Sequence, residues 1–190
     1  MDSGRHDRQH MRRALRLAAR GRGRVSPNPM VGALIVDGAG QVVGEGYHHE
    51  VGGPHAEAHA LRAAGARARG ATLYCTLEPC TVEGRTPPCA SAVVAAGIRR
   101  LVCALPDPDE RVSGRGFQLA RDAGIQVEIG IGADAAQELI GAYLHHRRTG
   151  RALMTLKLGQ TLDGRIATRD GGSRWITGDP ARRPRAPVAL

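Results

Sequence analysis

Residues 54–89 read PHAEAHALRAAGARARGATLYCTLEPCTVEGRTPPC, and this stretch decides the fold because it carries a metal-binding pattern. It contains one imidazole, His55, and two thiols, Cys80 and Cys89, together with the carboxylate of Glu57. A catalytic zinc takes three protein ligands, usually nitrogen and sulfur, and keeps a fourth position for water. The sequence therefore predicts a zinc site held by His55, Cys80 and Cys89.

Glu57 stands two residues after the predicted imidazole ligand without belonging to the ligand set. Zinc lowers the pKa of a bound water to about 7, and a general acid/base must lie within hydrogen-bond reach of the proton that it moves. We therefore predict that Glu57 is the catalytic proton carrier. In the alternative interpretation, His55 only opens a helix and the cysteines are buried thiols, which an isolated His-x-Glu would favour.

The spacing of the two thiols narrows the class of enzyme. Zinc deaminases that act on nucleobases carry H-x-E followed by P-C-x-x-C. The pair Pro79–Cys80 fits this pattern, but position 83 is Glu83 and the second thiol follows only at Cys89. The intervening loop ends in two prolines, which fix φ. The chain therefore combines the deaminase ligand types with a longer and stiffer loop.

The run H-A-E at 55–57, with E-P-C at 78–80 and G-R-T-P-P-C at 84–89, closely resembles the deaminase domain of the bifunctional riboflavin-biosynthesis deaminase/reductase family. The resemblance extends from about Asp7 to Trp175. It implies a cytidine-deaminase-like three-layer α/β/α sandwich with a mixed central sheet. It also implies zinc-dependent hydrolytic deamination of 2,5-diamino-6-(ribosylamino)-4(3H)-pyrimidinone 5'-phosphate in riboflavin biosynthesis, by a homo-oligomeric protein.

The resemblance further implies which residues contact the substrate. Asn28 lies between two prolines, and its amide can both donate to and accept from a pyrimidine edge. His48 matches a substrate-contacting histidine, and Asp107 matches a loop near the ribityl phosphate. Arg85 matches a basic residue between the thiols, where a guanidinium suits a phosphate. The alternatives are an Asx turn at Asn28 and a surface histidine at His48.

Two positions depart from the family pattern. Val82 stands where the family usually has a histidine that faces the substrate, and Asp109 stands where it commonly has an asparagine. Because both changes alter hydrogen bonding to the substrate, two other functions stay open. One is deamination of another aminopyrimidine or nucleoside, and the other is an inactive scaffold stabilised by zinc. Ammonia release with zinc present separates the scaffold from either enzyme.

Composition limits the partners and the compartment. The formal net charge is +9, yet one Trp, three Tyr and one Phe give little aromatic surface on which to stack bases. No apolar run approaches the roughly 20 residues of a membrane helix. We therefore expect neither a nucleic-acid nor a membrane partner. The charged N-terminus and four cysteines, with Cys75 and Cys103 predicted to be buried free thiols, indicate the cytoplasm.

Hydrophobic periodicity predicts an opening hairpin followed by alternating strands and helices, an order that indicates a sheet covered on both faces. The predicted strands are 31–36, 42–47, 72–76, 99–104 and 126–129. The predicted helices are 10–20, 55–64, 90–96, 116–123 and 133–146. In the helix 55–64 we expect Ala58 and Leu61 to face inward.

Two domains are expected along the 190 residues. Residues 1–148 are predicted to form the zinc-dependent deaminase domain. Residues 149–190, with a predicted strand at 153–158, resemble a truncated start of the family's NADPH-dependent reductase domain. A domain of that kind needs on the order of 200 residues, so we expect this segment not to fold independently and not to act as a reductase. The sequence leaves open whether a separate chain supplies that activity.

Overall fold

The computed structural model describes residues 3–82, 88–174 and 176–182, and its centre is a five-stranded sheet in the order β2-β1-β3-β4-β5. The strands are β1 (Gly32–Val36), β2 (Val42–Tyr47), β3 (Thr72–Cys75), β4 (Arg100–Cys103) and β5 (Gln126–Ile129). Strand β1 pairs antiparallel with β2 and β3, whereas β3, β4 and β5 run parallel. The sheet is therefore mixed, as predicted.

Helices cover both faces of this sheet. They are α1 (Ser3–Ala18), α2 (Ala56–Ala64), α3 (Cys89–Ala95), α4 (Arg115–Asp122), α5 (Ala133–Leu139), α6 (Gly141–Thr149) and α7 (Asp179–Arg182), with short 3-10 turns at Ala19–Gly21 and Gly65–Ala68. Helices α2, α3 and α4 pack on one face, while α1, α5 and α6 pack on the other. The predicted three-layer α/β/α sandwich is confirmed.

Apolar side chains fill both interfaces between the helices and the sheet. Leu73 and Leu101 face α2, α3 and α4, whereas Leu34 and Val102 face α1, α5 and α6. All five residues of β1 are buried. Strands covered on both faces have continuous rather than alternating apolar sequences, which explains the run at 31–36. The thiols of Cys75 and Cys103 are buried and free, as predicted.

Two glycines of β2 allow α2 to approach the sheet closely. A Cβ at Gly44 would collide with the carbonyl oxygen of Ala60, and a Cβ at Gly46 would collide with that of Ala56. The helix buries its small residues against these positions, namely Ala56, Ala60 and Ala64. The start of α2 is therefore held against β2 by backbone contact rather than by interlocking side chains.

Of the two residues predicted to face inward from α2, Leu61 packs against the core, whereas Ala58 is not among the core residues. Ala58 and Leu61 are only half-buried, because the surface that α2 meets is glycine backbone and favours alanine over a larger side chain. Leu61 lies at the edge of the core instead.

A buried ion pair ties the start of α1 to the sheet. The carboxylate of Asp7 accepts hydrogen bonds from the Tyr74 hydroxyl at 2.6 Å and from the two terminal nitrogens of Arg100 at 2.9 and 2.8 Å. Arg100 also pairs with Glu128 of β5. The hydrogen bonds from Arg100 are the main cause that lowers the pKa of Asp7. This contact explains why α1 begins several residues before the predicted helix 10–20.

Two further predictions needed correction. The predicted helix 133–146 is interrupted at Ile140, whose φ of −112° and ψ of 23° are not helical, so α5 and α6 are separate. The predicted strand at 153–158 was wrong, because residues 152–161 have no regular secondary structure and Met154 is 92% exposed. None of the helices within the described ranges combines the length and apolarity needed to cross a lipid bilayer.

Candidate metal centre

Three segments bring metal-binding atoms together beyond the carboxyl end of β3. His55 is the N-cap of α2, Cys80 follows β3, and Cys89 is the first residue of α3. His55 Nδ1 lies 3.5 Å from Cys80 Sγ and 3.3 Å from Cys89 Sγ. All three candidate ligand atoms lie within 4.8 Å of one another. The structure thus brings together the three residues predicted as ligands.

The backbone at the start of α3 fixes the two thiols relative to each other. The amide of Ala90 donates to the carbonyl oxygen of Cys80 at 3.0 Å, and the amide of Cys89 points at Cys80 Sγ at 3.5 Å. Helices α2 and α3 both direct their N-terminal ends toward the cluster. A helix N-terminus carries a partial positive charge, which favours thiolates.

The electrostatics of the cluster fit a cation. The hydrogen bond with Cys89 lowers the pKa of Cys80, and the same contact raises the pKa of Cys89. Two adjacent thiols cannot both ionise cheaply, whereas a metal requires both as thiolates. One imidazole and two thiolates are a ligand set typical of zinc. The residues present therefore fit a zinc ion.

Glu57 lies in the first turn of α2 and is only 3% exposed. Burial raises its pKa to about 7, because desolvation penalises the charged carboxylate. Its Oε2 atom is buried and has no hydrogen-bond partner among the described residues. A carboxyl group that is near its pKa at neutral pH and has one free oxygen can both take and release a proton.

A cavity of about 320 Å³ opens beside the cluster. Its wall includes the predicted residues Asn28, His48, Glu57 and Asp107 as well as His55 and Cys80. Val82 and Asp109, the two departures from the family pattern, line the same cavity. Arg85 was predicted to contact a phosphate, and it lies outside the described residues. The volume is within the range of small-molecule sites.

A short hydrogen-bond chain orders one side of this cavity. His48 Nδ1 donates to the carbonyl oxygen of Pro54 at 3.1 Å, so its Nε2 accepts from the side-chain amide of Asn28 at 3.2 Å. The His48 ring also meets the His55 ring edge-on, with centroids 5.4 Å apart. Burial lowers the pKa of His48 and keeps the ring neutral. Asn28 and His48 therefore form one unit next to the candidate ligand.

The same cavity is lined by three side chains that the sequence did not predict, namely Arg111, Tyr143 and Arg147. The Tyr143 hydroxyl donates to Asp107 Oδ1 at 3.0 Å. Arg111 binds Asp109 through two hydrogen bonds of 3.0 and 2.7 Å, and Arg147 approaches Asp109 at 3.6 Å. The unexpected carboxylate at Asp109 was a signal that a cation lies nearby. Nothing in the sequence pointed to Tyr143 or Arg147, because α6 is distant from this loop along the chain.

Known proteins are similar to this chain over most of its length. A sequence model described as the cytidine and deoxycytidylate deaminase zinc-binding region matches residues 5–105. The riboflavin biosynthesis protein RibD of Escherichia coli K12 is 51% identical over 177 residues, which are 93% of this chain and 48% of that protein. The chain spans about half the length of the curated relatives that it matches.

Solved structures give the same picture of the fold. A structure of Acinetobacter baumannii RibD has a TM-score of 0.88 and 48% identity, and the match covers 95% of this chain and 50% of that one. A Thermotoga maritima protein described as a diaminohydroxyphosphoribosylaminopyrimidine deaminase/5-amino-6-(5-phosphoribosylamino)uracil reductase has a TM-score of 0.86 and 40% identity, with 92% of this chain and 50% of that one covered.

Proposed function

Because the chain belongs to the cytidine and deoxycytidylate deaminase zinc-binding family, we propose that it is a hydrolytic deaminase of a phosphorylated aminopyrimidine. The substrate is 2,5-diamino-6-(ribosylamino)-4(3H)-pyrimidinone 5'-phosphate, and the reaction belongs to riboflavin biosynthesis. The observation that carries the proposal is the unpaired Oε2 of Glu57 beside the His55, Cys80 and Cys89 cluster, on the wall of one cavity. The activities for which these relatives are named support the choice of substrate.

Zinc is the metal of this family region, and His55, Cys80 and Cys89 would hold it. When bound, zinc lowers the pKa of a water molecule to about 7 and so supplies a nucleophile at neutral pH.

Glu57 moves the protons of the reaction. Its Oε2 accepts one proton from the attacking water and delivers it to the ring nitrogen as the C–O bond forms. It then accepts the proton of the hydroxyl group added to the ring carbon and delivers it to the amino group, which leaves as ammonia while the ring carbonyl forms. Burial raises the pKa of Glu57 toward neutral, and a carboxyl group tuned in this direction is suited to general acid/base catalysis. The buried position of Glu57 also keeps bulk water away from its free oxygen.

Asn28, His48 and Asp107 orient the substrate. Because the amide nitrogen of Asn28 donates to His48, its carbonyl oxygen is left to accept from an N–H group of the pyrimidine. Asp107 is held by the Tyr143 hydroxyl and is an acceptor for a ribosyl hydroxyl of the substrate. Arg85 binds the phosphate, since a guanidinium offers paired N–H donors.

The test is ammonia release from the freshly prepared ribotide, with cytidine as the control substrate and zinc content measured on the same sample. Release from the ribotide and not from cytidine is the expected result. Ammonia from cytidine alone would replace the proposal with a nucleoside deaminase. The absence of ammonia release from both substrates, with one zinc per chain, would favour an inactive scaffold.

Deamination of a related aminopyrimidine is the second candidate. Val82 offers no hydrogen bond where it lines the cavity, and Asp109 presents a carboxylate that Arg111 already engages. Both features alter the wall that a substrate meets. A panel of aminopyrimidine ribotides that differ in their exocyclic groups separates this candidate from the first.

We also propose the organisation of the chain in the cell. Residues 1–148 form the deaminase domain of a cytoplasmic homo-oligomer, and residues 149–190 do not fold on their own. The exposure of Met154 and Leu156, which are 92% and 81% exposed, supports this boundary. Brief trypsin treatment should cut first at Lys157 or Arg165 and leave a zinc-containing product with deaminase activity. Equal resistance of both parts would contradict the boundary.

A further inference from the structure

Glu78 is a buried carboxylate whose two oxygens each accept two backbone hydrogen bonds. The side chain belongs to a residue only 3% exposed. Its Oε2 accepts from the amides of Asp107 at 3.1 Å and Gly114 at 3.0 Å. Its Oε1 accepts from the amides of Gly116 at 2.9 Å and Phe117 at 3.4 Å. One side chain therefore binds both ends of the loop that joins β4 to α4.

Glu78 also lies two residues before the candidate ligand Cys80. Its own amide donates to the carbonyl oxygen of Leu105 at 2.9 Å, so backbone and side chain hold the same loop. The contact is tight, because a Cβ at Gly116 would collide with the carbonyl oxygen of Pro79. The segment that carries the Cys80 thiol and the loop that carries Asp107 are therefore in direct, closely packed contact.

This contact determines the positions of the side chains in the loop between β4 and α4. The amide of Asp107 is one of the four donors, and its carboxylate lines the cavity. Asp109 lines the cavity as well, and its amide donates to Asp107 Oδ1 at 2.9 Å. On the outer side, Tyr143 and Arg147 of α6 hold the same two carboxylates. Glu78 therefore holds the backbone of this loop, while α6 holds its carboxylate side chains.

We propose that Glu78 is a positioning residue that sets the distance between the candidate metal ligand Cys80 and the substrate-binding side chain of Asp107. The inference rests on the proposed function, since it assigns Asp107 to the substrate. A residue that only capped α4 would contribute to stability and leave substrate binding unchanged. The two roles differ in which kinetic parameter changes.

The test compares Glu78→Gln with Asp7→Asn. Glu78→Gln replaces one acceptor oxygen with an NH₂ group, which cannot accept a hydrogen bond from the backbone N–H groups that it faces. We expect KM for the ribotide to rise about tenfold or more, in line with the loss of hydrogen bonds to a charged group, with a smaller change in kcat and unchanged zinc content. Asp7→Asn breaks another buried, hydrogen-bonded carboxylate outside the cavity wall, and should lower Tm without changing KM.

Hydrogen exchange gives a second readout that needs no activity. Amides of residues 105–117 should exchange faster in Glu78→Gln than in the unaltered chain, and should be unchanged in Asp7→Asn. If Glu78→Gln does not fold, Glu78→Asp keeps the carboxylate and should raise KM in the same direction by less.

The outcomes separate the two proposals. An unchanged KM with a lowered Tm, or a loss of zinc, would overturn the positioning role of Glu78. If the unaltered chain does not act on the ribotide, the proposed function fails and exchange of residues 105–117 decides the role. Faster exchange limited to Glu78→Gln then supports the positioning of the loop, and equal exchange overturns it.

Discussion

The carbonyl oxygen of Ala56 lies against the Cα of Gly46, so that no side chain separates the first turn of α2 from strand β2. His55 and Glu57 flank Ala56 in the sequence. The positions of a candidate metal ligand and of the proposed proton carrier are therefore set by a contact between two backbones.

Gly46→Ala should displace the first turn of α2. The added methyl group meets the Ala56 carbonyl and the Ala60 amide, and overpacking of this kind costs about 1–3 kcal/mol. We expect kcat/KM to fall at least tenfold, because misplacement by about 1 Å can cost up to 100-fold. Steady-state ammonia release and Tm measure the two effects. Gly38→Ala, in the exposed turn with no atom near its Cβ, is the matched control and should change neither.

Glu57→Gln should abolish turnover while zinc is retained. The amide has nearly the same shape as the carboxyl group but cannot exchange protons, and general acid/base catalysis contributes about 10²–10⁴-fold. We expect kcat to fall by that factor at pH 7, with one zinc per chain by elemental analysis. A kcat close to that of the unaltered chain would remove Glu57 from its proposed role.

Cys89→Ser should release the metal. The serine hydroxyl stays protonated at neutral pH, whereas a ligand must be deprotonated. We expect zinc content to fall from one per chain to near zero, with activity lost in parallel. Cys103→Ala, which changes a buried thiol in the core outside the cluster, should keep its zinc. Full zinc in Cys89→Ser would exclude Cys89 as a ligand.

Asn28 and His48 should act as one unit in binding the substrate. The hydrogen bond between them orients both groups, so removal of either partner should raise KM. Residues in contact show coupling energies of about 0.5–3 kcal/mol. We expect the double variant Asn28→Ala with His48→Ala to lose less kcat/KM than the two single losses multiplied together. Independent, multiplicative losses would argue against a shared role.

Asp7→Asn should lower stability in a manner that depends on pH. Because Arg100 is partly exposed, the loss of its hydrogen bonds to a charged group costs about 1.5–3 kcal/mol, which lowers the Tm of a chain of this size by about 3–12 °C. Arg100 lowers the pKa of Asp7 in the folded state. The stabilisation is therefore present above the unfolded value, about 3.9, and is lost as pH falls through the lower folded value.

Urea unfolding at pH 7, 5 and 3 measures this difference. The difference in the free energy of unfolding between the unaltered chain and Asp7→Asn should be largest at pH 7 and 5 and should become smaller at pH 3. A difference that stayed constant over this range would show that the charge of Asp7 contributes nothing.

The five strands lie within one residue of their predicted bounds at each end. The strands at 42–47 and 126–129 coincide with β2 and β5, and the hairpin at Asp37 links β1 to β2 as predicted. The failures have physical causes. The apolar run at 153–158 has strand composition but no neighbouring strand to pair with in the described residues, and Ile140 interrupts a helical pattern that composition alone would continue.

The candidate site was predictable to the extent that its chemistry is local. His55 and Glu57 are two residues apart, and their residue types already indicate a metal and a proton carrier. In the sequence, Glu78 stood out only as part of the run E-P-C at 78–80. Its contacts could not be predicted, because its four hydrogen-bond donors are backbone amides, which leave no pattern in the sequence. Tyr143 reaches Asp107 across 36 positions of the chain, and only the folded sheet brings the two together.

The separation of the three candidate ligands along the chain has a consequence for stability. Cys80 and Cys89 follow His55 by 25 and 34 positions, so an ion bound to all three crosslinks distant segments. A covalent link that closes loops of this length removes about 3–4 kcal/mol of unfolded-chain entropy. The four cysteines are free thiols, so the bound ion would crosslink the chain as a disulfide does in other proteins. Removal of the ion by a chelator should therefore lower the free energy of unfolding by a comparable amount.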